Sequence, residues 1–237
     1  MDGLVEPKMR LAPTAGARPS VAITLDACPG AFDARVASAL VQAGAPATIF
    51  VCATWMRRNR DGLAYLLAHP DVFSLQNHGA RHLTCVLGER RIWGLTPAGD
   101  LAHILAEVAD GARAVAEAAG HSPTWFRGAG AVYSPPALEL IGRMGFQVAG
   151  FSLNGDEGAS LPAAATVARI GAAGDGDVII SHINQPLRAS GAGVARGILN
   201  LRQRGANFVR LDRLTHDQVR RAAWLAPASD EATQGFT

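Results

Sequence analysis

Asp26 closes the apolar run Val21-Ala22-Ile23-Thr24-Leu25, and Cys28-Pro29-Gly30 follows at once. A short β-branched run that ends in Pro-Gly reads as a buried strand leading into a turn. A carboxylate at the mouth of such a strand is costly to bury unless it is paired or ligated, so Asp26 needs partners. His78 and His82, four residues apart after Val72-Phe73-Ser74-Leu75, are one candidate pair, and His182, after Asp177-Val178-Ile179-Ile180-Ser181, is another candidate. Two imidazoles one helical turn apart share a face, and with Asp26 they make a common hydrolytic zinc set. Two histidines of a surface loop give the same pattern. His182 is either a general acid or a hydrogen-bonded structural histidine.

Arg127 follows Trp125-Phe126 and precedes Gly128-Ala129-Gly130. It either pairs with Asp26 or Asp156, holding that carboxylate ionised, or is a surface arginine. Asp156 follows Asn154-Gly155 and is either such a partner or a plain turn residue. Trp55, Trp93 and Tyr133 fall in or near the same loops, and each ring either stacks on a sugar or covers the edge of the core. Strand ends carrying Asp, paired His and a third His predict one pocket at the C-terminal rim of a sheet or barrel.

The elements that must bring these residues together alternate along the chain. Strands are expected at 20–25, 46–52, 72–76, 125–127, 146–153, 177–181 and 206–210. A helix over 34–43 is capped by Asp33 and stopped by Gly44, with Val36, Leu40 and Val41 inward. A second covers 59–69 with Leu63, Leu66 and Leu67 inward. The longest, over 98–119, takes Pro97 in its first turn and buries Ile104, Leu105, Val108 and Val115. Others are expected at 136–144, 163–173 and 191–204, with a closing helix at 214–224. Residues 78–96 read as irregular loop, long enough to be functional. Residues 1–19 are a lead-in broken by Pro7, Pro13 and Pro19, and 225–237 a tail, leaving one domain at 20–224. Buried strands alternating with helices predict an α/β fold with a parallel sheet, closed as a barrel or open and doubly wound. The turn after the first strand lacks the glycine spacing of a dinucleotide site.

With 237 residues, 49% hydrophobic and 18% charged, the chain can bury a core and is not a disordered composition. A net charge of +2 without any long basic run gives no case for nucleic acid. No segment reaches membrane-spanning length, so no membrane insertion is expected. Met1 to Arg10 lack the pattern of a secretory signal. The expected location is therefore cytoplasmic, or periplasmic or extracellular if a signal was removed. Cys28, Cys52 and Cys85 are an odd set without close pairing, so neither a disulfide framework nor a zinc knuckle follows. Cys52 reads as core; Cys28 and Cys85 lie close to site residues.

Taken in order, these motifs resemble those of the NodB-homology polysaccharide deacetylases, the carbohydrate esterase family four type. Thr24-Leu25-Asp26-Ala27-Cys28-Pro29 is similar to the family's Thr-Phe-Asp-Asp-Gly-Pro, and His78-Gly79-Ala80-Arg81-His82 to its His-Ser/Thr-x-x-His. Phe126-Arg127 matches the arginine motif, Asp156 is the nearest match to the aspartate that orients the catalytic histidine, and Ile179-Ile180-Ser181-His182 matches Leu-x-Leu-His. The run from Gly193 to Leu214 is similar to the last helix and strand, so the resemblance spans about Ser20 to Leu214. It implies a distorted (β/α)7-type barrel and one divalent metal, zinc by its donors, held by His78, His82 and Asp26.

The same resemblance implies the chemistry. A metal-activated water attacks an N-acetyl or related amide of a carbohydrate, with Asp26 as base or ligand. His182 acts as general acid, Asp156 orients it, and Arg127 keeps Asp26 ionised. A backbone N–H near Tyr133 holds the oxyanion, and the rim aromatics Tyr133, Trp55 and Trp93 are the candidates, by position alone, for contact with the sugar. The departures are specific. The family's second aspartate completes its metal site, and Ala27 stands there with no ligand atom. Either Asp26 has become the ligand, or Cys28 supplies a thiolate, or the metal is lost. Gly128-Ala129 stand where the family commonly has prolines. A Leu-Asp-Ala-Cys opening, His-Gly-x-x-His and a glycine-rich loop after the arginine resemble one variant branch of the family. Two other readings stay open: an amidohydrolase of this fold acting on a small amide, and an inactive carbohydrate-binding relative.

Overall fold

Eight consecutive buried residues, Ser20–Ala27, form an inner strand of a parallel sheet. The computed structural model describes residues 3–13 and 18–221. Its elements begin with β1 (Met9–Leu11), β2 (Ser20–Ala27), α1 (Ala34–Ala43), β3 (Ala47–Val51), α2 (Ala53–Arg58), α3 (Arg60–Leu67) and β4 (Phe73–Asn77). They continue with β5 (Thr84–Leu87), β6 (Pro97–Gly99), α4 (Leu101–Ala119), β7 (Trp125–Phe126), α5 (Pro135–Arg143), β8 (Gln147–Val148) and β9 (Leu153–Asn154). The last are α6 (Ala163–Gly171), β10 (Val178–His182), α7 (Ala189–Gln203), β11 (Asn207–Phe208) and β12 (Val219–Arg221).

The strand order is β8-β7-β4-β3-β2-β10-β9, every neighbour parallel, with β11 beside the start of β2. This is the α/β fold read from the sequence: a parallel sheet curled into a distorted, open barrel with helices outside. Alternation along β2 sets its two faces. Val21, Ile23, Leu25 and Ala27 join the core under α1, α6 and α7, packed with Leu40, Ile170, Val194 and Ile198. Ala22 faces the barrel interior with Phe50, Trp125, Val178 and Ile180. Asp26 follows that inner register, so it opens into the barrel while Ala27 turns into the helix layer.

Several elements differ from expectation, each for a local reason. Residues 1–19 are not a loose lead-in throughout: β1 pairs antiparallel with β12, and Met9 and Leu11 are buried. The Phe151 N–H donates to the Pro7 carbonyl and the Met9 N–H to Phe151, so this segment lies along the stretch between β8 and β9. That stretch also splits the strand expected at 146–153 into two. Pro97 sits in a strand beside β5, inside the region read as loop, and Asp100 instead caps α4 by accepting from the His103 N–H at 2.8 Å. Residues 53–58 form an additional helix. Leu67 and Leu105 are exposed rather than inward. The closing helix expected at 214–224 is a 3-10 turn, His216–Gln218, followed by β12, which β1 recruits as its partner. Residues 222–224 of that expectation and the tail 225–237 lie outside the described residues.

Candidate active site

Five strand ends converge. Asp26 lies at the end of β2 with Cys28 just beyond it, His78 follows β4, Arg127 follows β7, Asp156 follows β9, and His182 ends β10 in register with Asp26. All lie at the C-terminal edge of a parallel sheet, where loops rather than ladders shape the surface.

Arg127 is fully buried beneath the strand ends. Its Nη1 donates to Asp26 Oδ1 at 2.9 Å, its Nη2 to the Gly150 carbonyl at 3.1 Å, and its plane lies 4.4 Å over the Phe50 ring. Burial pushes the Asp26 carboxyl up, but the charges of Arg127, His78 and His182 together outweigh it and hold the group below its usual range. Of the two partners the sequence allowed for Arg127, the fold selects Asp26. Asp26 Oδ2 remains on the far side, 3.9 Å from His78 Nε2.

Asp156 instead holds His182. Its Oδ1 lies 2.9 Å from His182 Nδ1, and its Oδ2 accepts the His182 backbone N–H at 2.8 Å. Burial works against the imidazolium, yet Asp156 and the Cys28 sulfur raise His182 well above its ordinary value. That shift favours the protonated ring, which suits a group that donates a proton.

The two motif histidines face Cys28. His78 Nδ1 lies 2.6 Å from the Arg127 carbonyl, which fixes it as the protonated nitrogen and leaves Nε2 3.3 Å from Cys28 Sγ. The His78 and His82 rings lie 5.0 Å apart, centre to centre. Ligand atoms of Cys28, His78 and His82 all lie within 4.8 Å of one another, and so do those of Asp26, Cys28 and His182. His82 Nε2 is buried without a hydrogen-bond partner among the described residues. Burial resists the Cys28 thiolate, but His82, His78 and His182 hold it well below its ordinary value, and Asp26 and Cys28 bring His78 up to about 9 against burial. A thiolate and two imidazoles, one of them with an orphaned ring nitrogen, make a donor set that fits a zinc-like ion. Among the three-residue groups that converge, His78 and His82 share Cys28 as third member, not Asp26. Asn184 secures the turn by donating from Nδ2 to the Cys28 carbonyl at 3.1 Å.

The aromatic candidates separate by burial. Trp55 and Tyr133 are fully buried and cannot stack on a sugar. Trp55 packs in the core against Phe32, and the Tyr133 hydroxyl accepts the Gly128 N–H at 2.8 Å. The Tyr133 N–H donates to Val5, so it is not free to hold an oxyanion. Trp93 is 54% exposed and lies against Gly130, where a Cβ would come within 3.0 Å of its ring. Cys85 is a core residue, its thiol pushed far up by burial, and Cys52 is core as expected, pushed up to about 11.

Sequence reasoning missed Glu107. It is buried on α4, and its carboxylate accepts backbone N–H groups from Arg81, His82 and Leu83. The available signal was position: Glu107 falls on the same helical stripe as Ile104, Val108, Gly111 and Val115, all of them buried.

The family model described as Polysaccharide deacetylase matches residues 14–149. No curated protein matches the chain. Among solved structures, the Bc1960 peptidoglycan N-acetylglucosamine deacetylase, in complex with a naphthalenyl N-hydroxybenzamide, is 17% identical with TM-score 0.69, over 85% of this chain and 89% of that one. The peptidoglycan deacetylase PdaC from Bacillus subtilis is 19% identical with TM-score 0.65, over 83% and 89%. BA3943, a CE4 family pseudoenzyme from Bacillus anthracis, is 13% identical with TM-score 0.66, over 88% and 68%. At these identities the likeness is one of fold.

Proposed function

Because this chain belongs to the polysaccharide deacetylase family, we propose that it is a metal-dependent hydrolase that removes N-acetyl groups from a carbohydrate, with Cys28, His78 and His82 as the protein ligands. The observation that carries the metal reading is the buried, partnerless His82 Nε2 beside Cys28 and His78. Ala27 is packed in the helix-side core, so the thiolate of the next residue replaces the carboxylate that the family places there. A divalent ion in this site, zinc for these donors, would supply a Lewis acid for the acetyl carbonyl and acidify a water.

The chain's own groups account for the protons. Asp26, kept ionised by Arg127, takes the proton of the attacking water through its outward Oδ2. As the C–N bond breaks, His182 gives its proton to the leaving amine, so the products are acetate and a free amino sugar. Asp156 holds the ring in place for that transfer. Trp93, on the rim, is the aromatic available to a sugar. A glycan of the cell envelope as substrate would place the protein outside the cytoplasmic membrane. No helix among the described residues is long and apolar enough to cross one.

A second reading is favoured by Ala27 itself: a glycan-binding relative without turnover. BA3943, similar in fold, is a CE4 family pseudoenzyme. One experiment separates the two. The chain is stripped with a chelator, titrated with zinc, and assayed for acetate released from N-acetylglucosamine oligomers, beside Cys28→Ala and His82→Ala. One zinc per wild-type chain, lost in both variants together with acetate release, is the expected result. Zinc bound equally by Cys28→Ala would return the third position to Asp26. Zinc and oligomer bound with no acetate released would favour the second reading. Neither zinc nor oligomer bound would sink both.

A further inference from the structure

The loop that carries His82 is built around one buried carboxylate. From 78 to 83 the backbone is not helical, and His82 has φ +66°, a left-handed conformation that a side chain other than glycine rarely adopts. Something must hold it there. Glu107, 1% exposed, accepts the N–H groups of Arg81 at 2.9 Å, His82 at 2.8 Å and Leu83 at 3.2 Å through Oε1, and Arg81 again at 3.1 Å through Oε2. These successive amides surround a carboxylate as they would a bound anion. The carbonyls of the same loop point the other way: Gly79 and Ala80 accept the first N–H groups of α2, from Ala53 and Thr54, each at 3.0 Å. The loop backbone is therefore pinned from both sides.

The approach of α4 leaves no slack. A Cβ at Gly79 would come within 2.4 Å of Glu107 Oε1, and one at Gly111 within 2.4 Å of Asn77 Oδ1. Asn77 in turn accepts the Gly79 N–H at 2.9 Å and donates to the Val108 carbonyl at 2.9 Å. Helix, strand end and loop are thus fastened through Asn77 and Glu107. The second of these groups sets the backbone of His82 itself.

We propose that Glu107 is the positioning residue of the metal site: its buried carboxylate folds residues 81–83 and so aims the His82 imidazole at Cys28 and His78. Glu107 touches neither ion nor substrate in this assignment. It acts through the His82 backbone, as groups behind a first ligand sphere set the direction of the ligands. The assignment rests on the zinc reading given above, and it explains why a loop without regular structure presents a ligand with one defined direction.

The test is zinc affinity, by competition with a chromogenic chelator, for wild type, Glu107→Gln and Ile104→Ala. Glutamine keeps the volume but turns an N–H2 toward backbone donors, so the loop loses acceptors it cannot replace. Ile104→Ala removes a buried side chain one turn earlier on α4 and serves as the control for general destabilisation. Folding of each is checked by circular dichroism. The expected result is zinc bound about 10- to 100-fold more weakly by folded Glu107→Gln, and within about twofold of wild type by Ile104→Ala. With cobalt, the thiolate-to-metal absorption should shift only in Glu107→Gln. If wild type and Glu107→Gln bind zinc equally, the positioning role is wrong while the site stands. If Ile104→Ala loses as much affinity as Glu107→Gln, the effect is general to the helix and the assignment falls. If wild type binds no zinc, the metal reading fails and takes this assignment with it.

Discussion

His182 shows what a single side chain contributes here. Burial alone would leave it neutral, but the Asp156 carboxylate 2.9 Å away and the Cys28 sulfur reverse that and raise it well above its ordinary value. A raised value extends the acid form to higher pH, and the form is lost as pH rises through it. Replacing Asp156 by Asn removes the main charge that favours the proton. The alkaline limb of kcat for acetate release should therefore move to lower pH, and kcat should fall about 100-fold, the lower end for loss of a positioned general acid. An unmoved limb would mean that His182 is not the acid. At this scale the sequence was legible in residue types but not in pairings. Both aspartates were on offer to Arg127, and only the strand order, which sets β2 between β3 and β10, decides that Asp26 takes it and Asp156 goes to His182. Trp55 and Tyr133 could not be told from rim aromatics because their burial depends on neighbours remote in the chain.

At the scale of elements, α1 was readable to its ends because every signal was local: Asp33 accepts the Arg35 N–H, and Gly44 takes the left-handed conformation that stops the helix. Helix α4 was readable in its stripe but not in its start. Pro97 carried the signal of a first helical turn, and a tertiary contact, the pairing of β6 with β5, overrode it. What the sequence hid entirely is how tightly this helix sits on the site. Gly111→Ala would drive a methyl group into Asn77 Oδ1 and the Gly79 backbone, both within 2.5 Å of its place. Crowding of this kind costs about 1–3 kcal/mol. Because both contacted atoms are backbone or backbone-fixed, the strain should also displace the His78–His82 loop. Unfolding in urea should show the stability loss, and chelator competition a weaker zinc affinity. A stable variant with unchanged affinity would show that α4 can shift without disturbing the loop.

At the scale of the whole molecule, the sheet is closed at one end by chemistry and at the other by the chain's own first residues. Met9 is 1% exposed and belongs to the same apolar cluster as Trp125, Phe151 and Leu211. Met9→Ala should lower unfolding free energy by about 2–5 kcal/mol, as for other buried methionines, yet leave zinc affinity as it was. A change in affinity at a temperature where the variant is fully folded would mean that the two ends of the barrel are coupled. Composition could say that the first residues contain prolines; it could not say that they become a strand, because the partner of β1 is at the other end of the described chain. That pairing has a consequence during synthesis. Met9 meets Arg221, so β1 waits for a partner made at the far end of the described residues. At roughly 5–20 residues per second the wait is about 10–40 s, with the edge of β1 that β12 takes left unpaired throughout. A chain cut short of Val219 never pairs that edge, which becomes a place where a chaperone or protease can tell such a chain from one that carries β12.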